Sequence, residues 1–354
     1  MSYSGFFVRE NIGQTVDGGQ DPSQWSASPD IILCGIKAPP NTTDFTTPQG
    51  YATDYGNIVY MNQVNYVYLR ALNATTAAAT GRAWFYYAES DLCLWPSKWM
   101  STNILVDGIG MNNQKIIATG GNQVCVSGPF LWTPPYFHDG HSDDDHYCLV
   151  SWMENPPLQD PPWTPTTNLP ELFEFEDLLN FILDHPNMGW RNTVDISQHG
   201  PTWQKSTAIT GARNGAQIYV GVEWKNLPSG KGGGTISYSI PGNADGENPP
   251  TINTDPPIPI SLPTGNSTVP LDWADGFSST ITISYTQGSV APPKGAWIAA
   301  LVILPTDQMK RETLERVRQL QPERLRQLKL MDAFGHETGI EGEGVIVGST
   351  QYRF

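Results

Sequence analysis

Residues 138–146 read His138-Asp139-Gly140-His141-Ser142-Asp143-Asp144-Asp145-His146, which places three imidazoles and four carboxylates in nine positions. Imidazole and carboxylate are ligands for zinc and other transition metals, and carboxylate-rich loops hold calcium. A structural calcium or zinc ion is the one cofactor this stretch could take, through His138, Asp139, His141, Asp143, Asp145 and His146. A metal-dependent hydrolase centred on His138, His141 and His146 is the catalytic form of that reading. The spacing matches neither HExxH nor the EF-hand loop, which needs Gly sixth and Glu twelfth. A solvated loop ahead of the strand at Tyr147 is the plainer reading, so no cofactor is expected.

Aromatic residues gather ahead of that loop in sequence. Trp95 and Trp99 lie in Leu92–Met100, and Trp132, Tyr136 and Phe137 follow. Exposed rings beside carboxylates can stack on sugars or anchor a protein partner. They carry an alternative function, a carbohydrate- or surface-binding module of a secreted or toxin-like protein. The plainer alternative is that these rings are buried at the ends of sheets. Nucleophile and phosphate motifs are missing: there is no GxSxG, no Walker loop, and no GxGxxG between a strand and a helix. The chain is therefore expected not to be an enzyme.

Composition narrows the partners. With 35 acidic against 20 basic residues the net charge is −15, which speaks against binding nucleic-acid phosphates. No apolar run reaches the 18 or so residues of a membrane-spanning helix. The four cysteines, Cys34, Cys93, Cys125 and Cys148, form no CxxC and sit in apolar, strand-like contexts, which reads as buried free thiols, with one or two disulfides as the alternative. The first ten residues have neither a basic n-region nor an apolar h-region. Cytoplasmic synthesis is expected, with a non-Sec route if the protein is exported.

The elements that must position these groups are mostly strands. Gly (34) and Pro (30) are too frequent for a long-helix protein and suit short strands joined by turns. Residues 1–27 are polar and read as an N-terminal arm. A first β-sandwich domain is expected over 28–155. Its strands begin with Ile31-Ile32-Leu33 and include Asn65–Leu72, Ala83–Tyr87, two short strands within Lys115–Val126, and His146–Trp152. Residues 156–195 hold a Pro-rich linker, which cannot donate ladder hydrogen bonds. A helix follows in which Leu172, Phe175, Leu178, Leu179 and Ile182 recur at helical spacing. A second sandwich domain is expected over 196–305, with strands at Ala216–Trp224, Thr280–Tyr285 and Gly295–Leu304. Tyr66 and Tyr219 are 153 residues apart, and Cys148 and Trp297 are 149 apart, which hints at duplication.

Residues 306–354 differ in kind. Residues 306–331 carry seven Lys/Arg against four Asp/Glu, with an apolar stripe of Leu314, Val317, Leu320, Leu325 and Leu328. Pro322 prefers a first helical turn, so two helices are expected, about 306–320 and 322–332. A Gly-rich tail with one strand-like run, Val345–Val347, follows. A basic element on an acidic chain finds its partner in an acidic face of the same copy or a neighbouring one. Arg311, Leu314, Arg318, Arg324 and Leu325 are the candidate subunit contact.

The series Ser28-Pro29-Asp30-Ile31-Ile32, Asn65–Asn73, Trp84-Phe85-Tyr86-Tyr87 and His146–Val150 resembles the CARDB-like immunoglobulin sandwich domains of bacterial and archaeal proteins, over about 28–155. That family usually continues its second strand with Asn-x-Gly, whereas Asn73 here precedes Ala74-Thr75. The resemblance implies a non-catalytic module and carries over no catalytic residue. The expectation is thus a mainly β chain of two immunoglobulin-like antiparallel β-sandwich domains, with a short helical connector and C-terminal helices. Its expected function is non-enzymatic binding or structure. It would self-associate as a homo-oligomer or dock into a larger assembly through its sandwiches and terminal arms. Protein is the expected partner, carbohydrate the alternative one, and neither nucleic acid nor a membrane span is expected.

Overall fold

The computed structural model describes residues 3–16, 27–56, 58–102, 104–106, 111–135, 146–154, 171–193, 201–242 and 251–354. The chain is mainly β, with four sheets among the described residues. In the first half one sheet runs β1(Phe6–Phe7), β3(Asn65–Asn73), β7(Val124–Trp132), β5(Leu105–Val106), with β2(Ile31–Leu33) also on β3. The other runs β6(Gln114–Ala118), β4(Ala79–Glu89), β8(Tyr147–Met153), β9(Met188–Asn192). They share one core, in which Val67, Leu69, Ala71 and Phe130 of the first sheet meet Phe85, Ile116, Leu149 and Met153 of the second. Short helices α1(Pro48–Tyr51) and α2(Pro96–Trp99) sit in the connecting loops. Proline at the first position of each suits a helix start, where its missing N–H leaves no bond unmade.

In the second half β10(Thr202–Thr210), β16(Ser278–Thr286) and β12(Thr235–Ile240) form a sheet. The two-residue strands β13(Ile252–Asn253) and β14(Ile258–Pro259) both pair with β12. Facing it is a closed five-stranded ring, β11(Ala216–Lys225), β15(Gly265–Trp273), β18(Leu325–Met331), β19(Glu337–Arg353) and β17(Trp297–Pro305). Every residue of β17 is buried. Ile298, Ala300 and Val302 face the sheet, while Leu301 and Ile303 meet Leu328 and Ile346 inside the ring. A strand covered on both faces reads as an unbroken apolar run rather than an alternation, as this one does.

The helix α3(Phe175–Asp184) starts where its sequence asks it to. A reciprocal cap joins Glu174 and Asp177, with the Asp177 Oδ2 accepting from the Glu174 N–H at 3.0 Å. Its apolar stripe, Phe175, Leu178, Leu179 and Ile182, enters the second-half core. The same core takes in Leu92, Cys93 and Trp95 from the first half. Asp91 tightens that junction, accepting from the N–H groups of Cys93 (2.9 Å) and Thr210 (3.1 Å). All four cysteines are free thiols. Burial pushes the Cys125 and Cys148 thiols up to about 12, which keeps them protonated and unreactive.

Two expectations are corrected at the C-terminal end. The helix α4(Arg311–Leu320) forms, but the second expected helix does not. Pro322–Arg324 is a single 3-10 turn, and Leu325–Met331 is strand β18, laddered antiparallel to β19 from Leu325↔Val345 onward. Leu328 and Leu330 lie two apart on one face and fill the ring interior, so tertiary pairing overrides helix-favouring Arg, Gln and Lys. The tail is not a short strand-like run either. β19 spans 17 residues, pairing first with β18 and then with β17.

Candidate functional site

The ring closes weakly at one place. β15 and β18 run parallel and share a single register pair, Thr268↔Leu330. Side chains complete the seam. Asn266 donates from Nδ2 to the Gln327 carbonyl and accepts at Oδ1 from the Lys329 N–H, both at 3.1 Å. A primary amide offers a donor and an acceptor side by side, so Asn266 takes the place of a ladder rung.

Beyond that seam the wall opens into a groove of about 520 Å³, within the range of ligand pockets. One wall is Pro256-Pro257-Ile258-Pro259 and Leu262; the other is Leu328, Met331 and Phe334. Proline explains the first wall. With three prolines that lack N–H groups, this run cannot extend the ladder past the two register pairs of β14, and it leaves the sheet. Trp224 is fixed between them. Its Nε1 donates to the Leu262 carbonyl at 3.1 Å, and a Cβ on Gly265 would lie 2.6 Å from its ring.

The second wall is set by a tight turn. Asp332 Oδ1 accepts from the N–H groups of Phe334 (2.9 Å) and His336 (3.0 Å), and Oδ2 lies 3.1 Å from His336 Nδ1. Those donors hold the Asp332 carboxyl below the usual carboxylate range. Gly335 follows at φ +84°, a conformation that glycine adopts without strain. The turn thrusts Phe334 outward, 63% exposed, and Leu262 opposite is 58% exposed. Polar groups stay at the rim, where Lys329 Nζ lies 3.7 Å from Glu337. Apolar walls with charges at the mouth suit gripping a partner's side chains. The groove draws on three stretches far apart in sequence, which is why sequence reasoning missed it. The available signals were the Pro256-Pro257 pair and the Phe334-Gly335 turn.

The residues singled out from sequence are scattered. His138, Asp139, His141, Asp143 and Asp145 lie outside the described residues, as do Tyr136 and Phe137. His146 is described, and it is buried, with Nε2 2.9 Å from Ser90 Oγ. Among the described residues no group of three or more His, Cys, Asp or Glu could hold a metal ion. Trp95, Trp99 and Trp132 are buried, which corrects the expectation of an exposed aromatic face. Trp95 donates to the Thr210 carbonyl (2.9 Å) and Trp99 to the Leu94 carbonyl (3.0 Å), while Trp132 packs on Tyr87 and Tyr147. Arg311 and Arg318 are exposed on α4, and Leu314 and Leu325 pack at the edge of the core. Arg324 is 1% exposed and bound within its own chain, which removes it from a subunit contact. No described helix is long and apolar enough to cross a membrane.

Burial, and next the Lys205 charge, push the His146 imidazole down to about 3. The unfolded chain then binds a proton between that value and 6.5 while the folded chain does not. Stability is therefore lost as pH falls through this window, by up to about 1.4 kcal/mol per pH unit. Urea unfolding of His146→Gln should show a flatter dependence below about pH 6.5. An unchanged slope in the variant would sink this assignment.

No family model matches the chain, and no curated protein matches it. Among solved structures, similarity is seen to red sea bream transglutaminase at 10% identity and a TM-score of 0.19, over 70% of this chain. The match spans only 28% of that enzyme. The collagen adhesin of S. aureus is similar at 6% identity and a TM-score of 0.21, over 84% of this chain and 92% of the adhesin. CfaE, the adhesive subunit of the CFA/I fimbria of enterotoxigenic Escherichia coli, is similar at 10% and 0.16, over 87% and 89%. Scores this low carry no argument about function.

Proposed function

We propose that this chain is a non-enzymatic binding or structural protein that self-associates or docks into a larger assembly. Two immunoglobulin-like sandwiches are the frame, and the groove at the ring seam is the contact. One observation carries this reading: Phe334 and Leu262, both more than half exposed, line the same preformed groove. Large apolar side chains gathered this way gain about 25 cal/mol per Å² when a partner covers them. The partner is a protein, most simply a second copy of the chain.

Light scattering coupled to size exclusion tests this on the full chain. The wild type is expected to exceed the 39.0 kDa of one copy as its concentration rises. Phe334→Asp, which places a charge on the groove wall, should return the mass to one copy. An unchanged assembly in Phe334→Asp would exclude the groove as the contact. A single-copy mass at every concentration would remove self-association.

A further inference from the structure

Three charged side chains are buried where the N-terminal segment meets the C-terminal elements. Glu10 follows β1, and Glu323 and Arg324 lie on the 3-10 turn between α4 and β18. Their exposures are 6%, 7% and 1%. Arg324 is engaged on every side. Its Nη2 donates to Glu10 Oε1 and its Nη1 to the Ile346 carbonyl, both at 3.1 Å. Its Nε donates to Gln321 Oε1 at 2.5 Å, and its guanidinium lies 6.0 Å over the Trp190 ring.

Glu323 is in the opposite position. Both carboxyl oxygens are buried, and among the described residues neither meets a donor beyond the residue's own backbone N–H. The charges facing it are Glu10 from the N-terminal segment, Arg324 beside it and Arg326 from β18. Arg326 is itself turned to Glu223 on β11, Nε to Oε1 3.0 Å, with Lys225 acting on that carboxylate. Arg326 and Lys225 thus serve Glu223, which leaves Glu10 and Glu323 one guanidinium, Arg324, whose bonds go to Glu10 and to two uncharged oxygens. A bound proton removes that surplus charge.

We propose that Glu323 is a proton-operated latch on residues 10–16. Protonated, it leaves Arg324 to Glu10 and the segment stays seated. Ionised, it repels Glu10 and competes for Arg324, and the segment lifts, uncovering the Arg324 guanidinium and Trp190. The release is local. Upstream, β1 pairs with β3, the Val8 N–H donates to the Pro186 carbonyl at 3.0 Å, and Arg9 is clamped on Asp30.

Burial, and further on the Glu10 charge, push the Glu323 carboxyl up from 4.5 to about 7. The seated form holds the proton more tightly than the lifted form. Burial pushes the Glu10 carboxyl up as well, against the Arg324 charge, so both groups favour the seated form on the acid side, and the Glu323 share weakens as pH rises from 4.5 to about 7. Global unfolding would blur this, because His146 has the opposite slope.

Hydrogen exchange on the full chain, corrected for intrinsic rates, reads the latch directly. The Glu10 N–H bonds Gln14 Oε1 at 2.5 Å, and the Gln14 N–H bonds the Asn11 carbonyl at 3.2 Å. From about pH 5.5 to about pH 8 these two amides should lose tenfold or more of their protection relative to Phe7. Glu323→Gln, of nearly the same shape and never charged, should keep them protected at both values. Equal protection at both pH values in the wild type, or the same loss in Glu323→Gln, overturns the proposal. A carboxyl-carbon NMR titration of wild-type Glu323 gives a second reading that needs no variant. A midpoint near 7 supports the latch, and one near 4.5 overturns it.

Discussion

Asp30→Ala is expected to cost about 3–5 kcal/mol of stability, a large share of the roughly 5–15 kcal/mol that holds a domain folded. Asp30 binds two arginines at once. Its Oδ1 accepts from Arg9 Nη2 (2.6 Å) and Arg70 Nε (2.8 Å), and its Oδ2 from the Arg9 N–H (2.8 Å) and Nε (3.0 Å). Asp30 and Arg70 are wholly buried, and Arg9 is nearly so. Arg70 also donates to the carbonyls of Pro29 (2.8 Å) and Gly50 (2.5 Å), while Tyr51 lies 3.4 Å from the Arg9 guanidinium. Alanine at 30 would leave two guanidiniums facing each other in a dry site, with Asp54, already paired with Arg191 and Arg353, as the remaining anion. Urea unfolding measures the loss. Replacing all three residues with apolar ones should cost much less, since the penalty lies in the orphaned charge. A loss under about 1 kcal/mol for the single change would show that water reaches the site.

Gly221→Ala should have the next largest effect, about 3 kcal/mol, by overfilling the five-stranded ring. Gly221 sits on β11 between Thr268 of β15 and Leu301 of β17. A Cβ there would lie 2.0 Å from the Ser267 carbonyl oxygen and 2.8 Å from the Thr268 Cα. Those are backbone atoms and cannot swing aside, so β11 and β15 must part. Gly120→Ala is the control. A Cβ there meets nothing within 4 Å, so it should stay within about 0.5 kcal/mol of the wild type. Equal melting temperatures for the two variants would refute the claim that ring closure depends on this glycine.

Much of the fold was legible from residue patterns. The Tyr, Val and Leu of β3, the alternation of β16 and the nine-residue apolar run of β17 all announced strands. The α3 stripe announced a helix. β18 misled because Leu325 and Leu328 are three apart, a helical interval, and the residues between them favour helices. Only the ladder with β19 turns Leu328 and Leu330 into one face of a strand. The site was less legible. Aromatic residues at 95, 99 and 132 could have made a surface, yet all three are buried, and the ring nitrogens of Trp95 and Trp99 are bonded to carbonyls inside the fold. The groove needs Trp224, the proline run and Phe334 in one place, and no local pattern brings them together. The charge pattern near the C-terminal end allowed an acidic face of the same copy or of a neighbouring one. For Arg324 its partner is Glu10 of the same chain, 314 residues away.

The position of β19 bears on how the chain is made. Synthesis delivers β17 well before the strand that pairs with its second edge. The apolar Trp297–Pro305 stretch must wait, with that edge bare, until residues 344–353 emerge. At ribosomal speeds that delay is roughly 2–10 s. A bare, two-sided apolar edge invites pairing with another nascent chain. Slower elongation after residue 305 should thus lower the soluble yield, and a bound holdase should restore it.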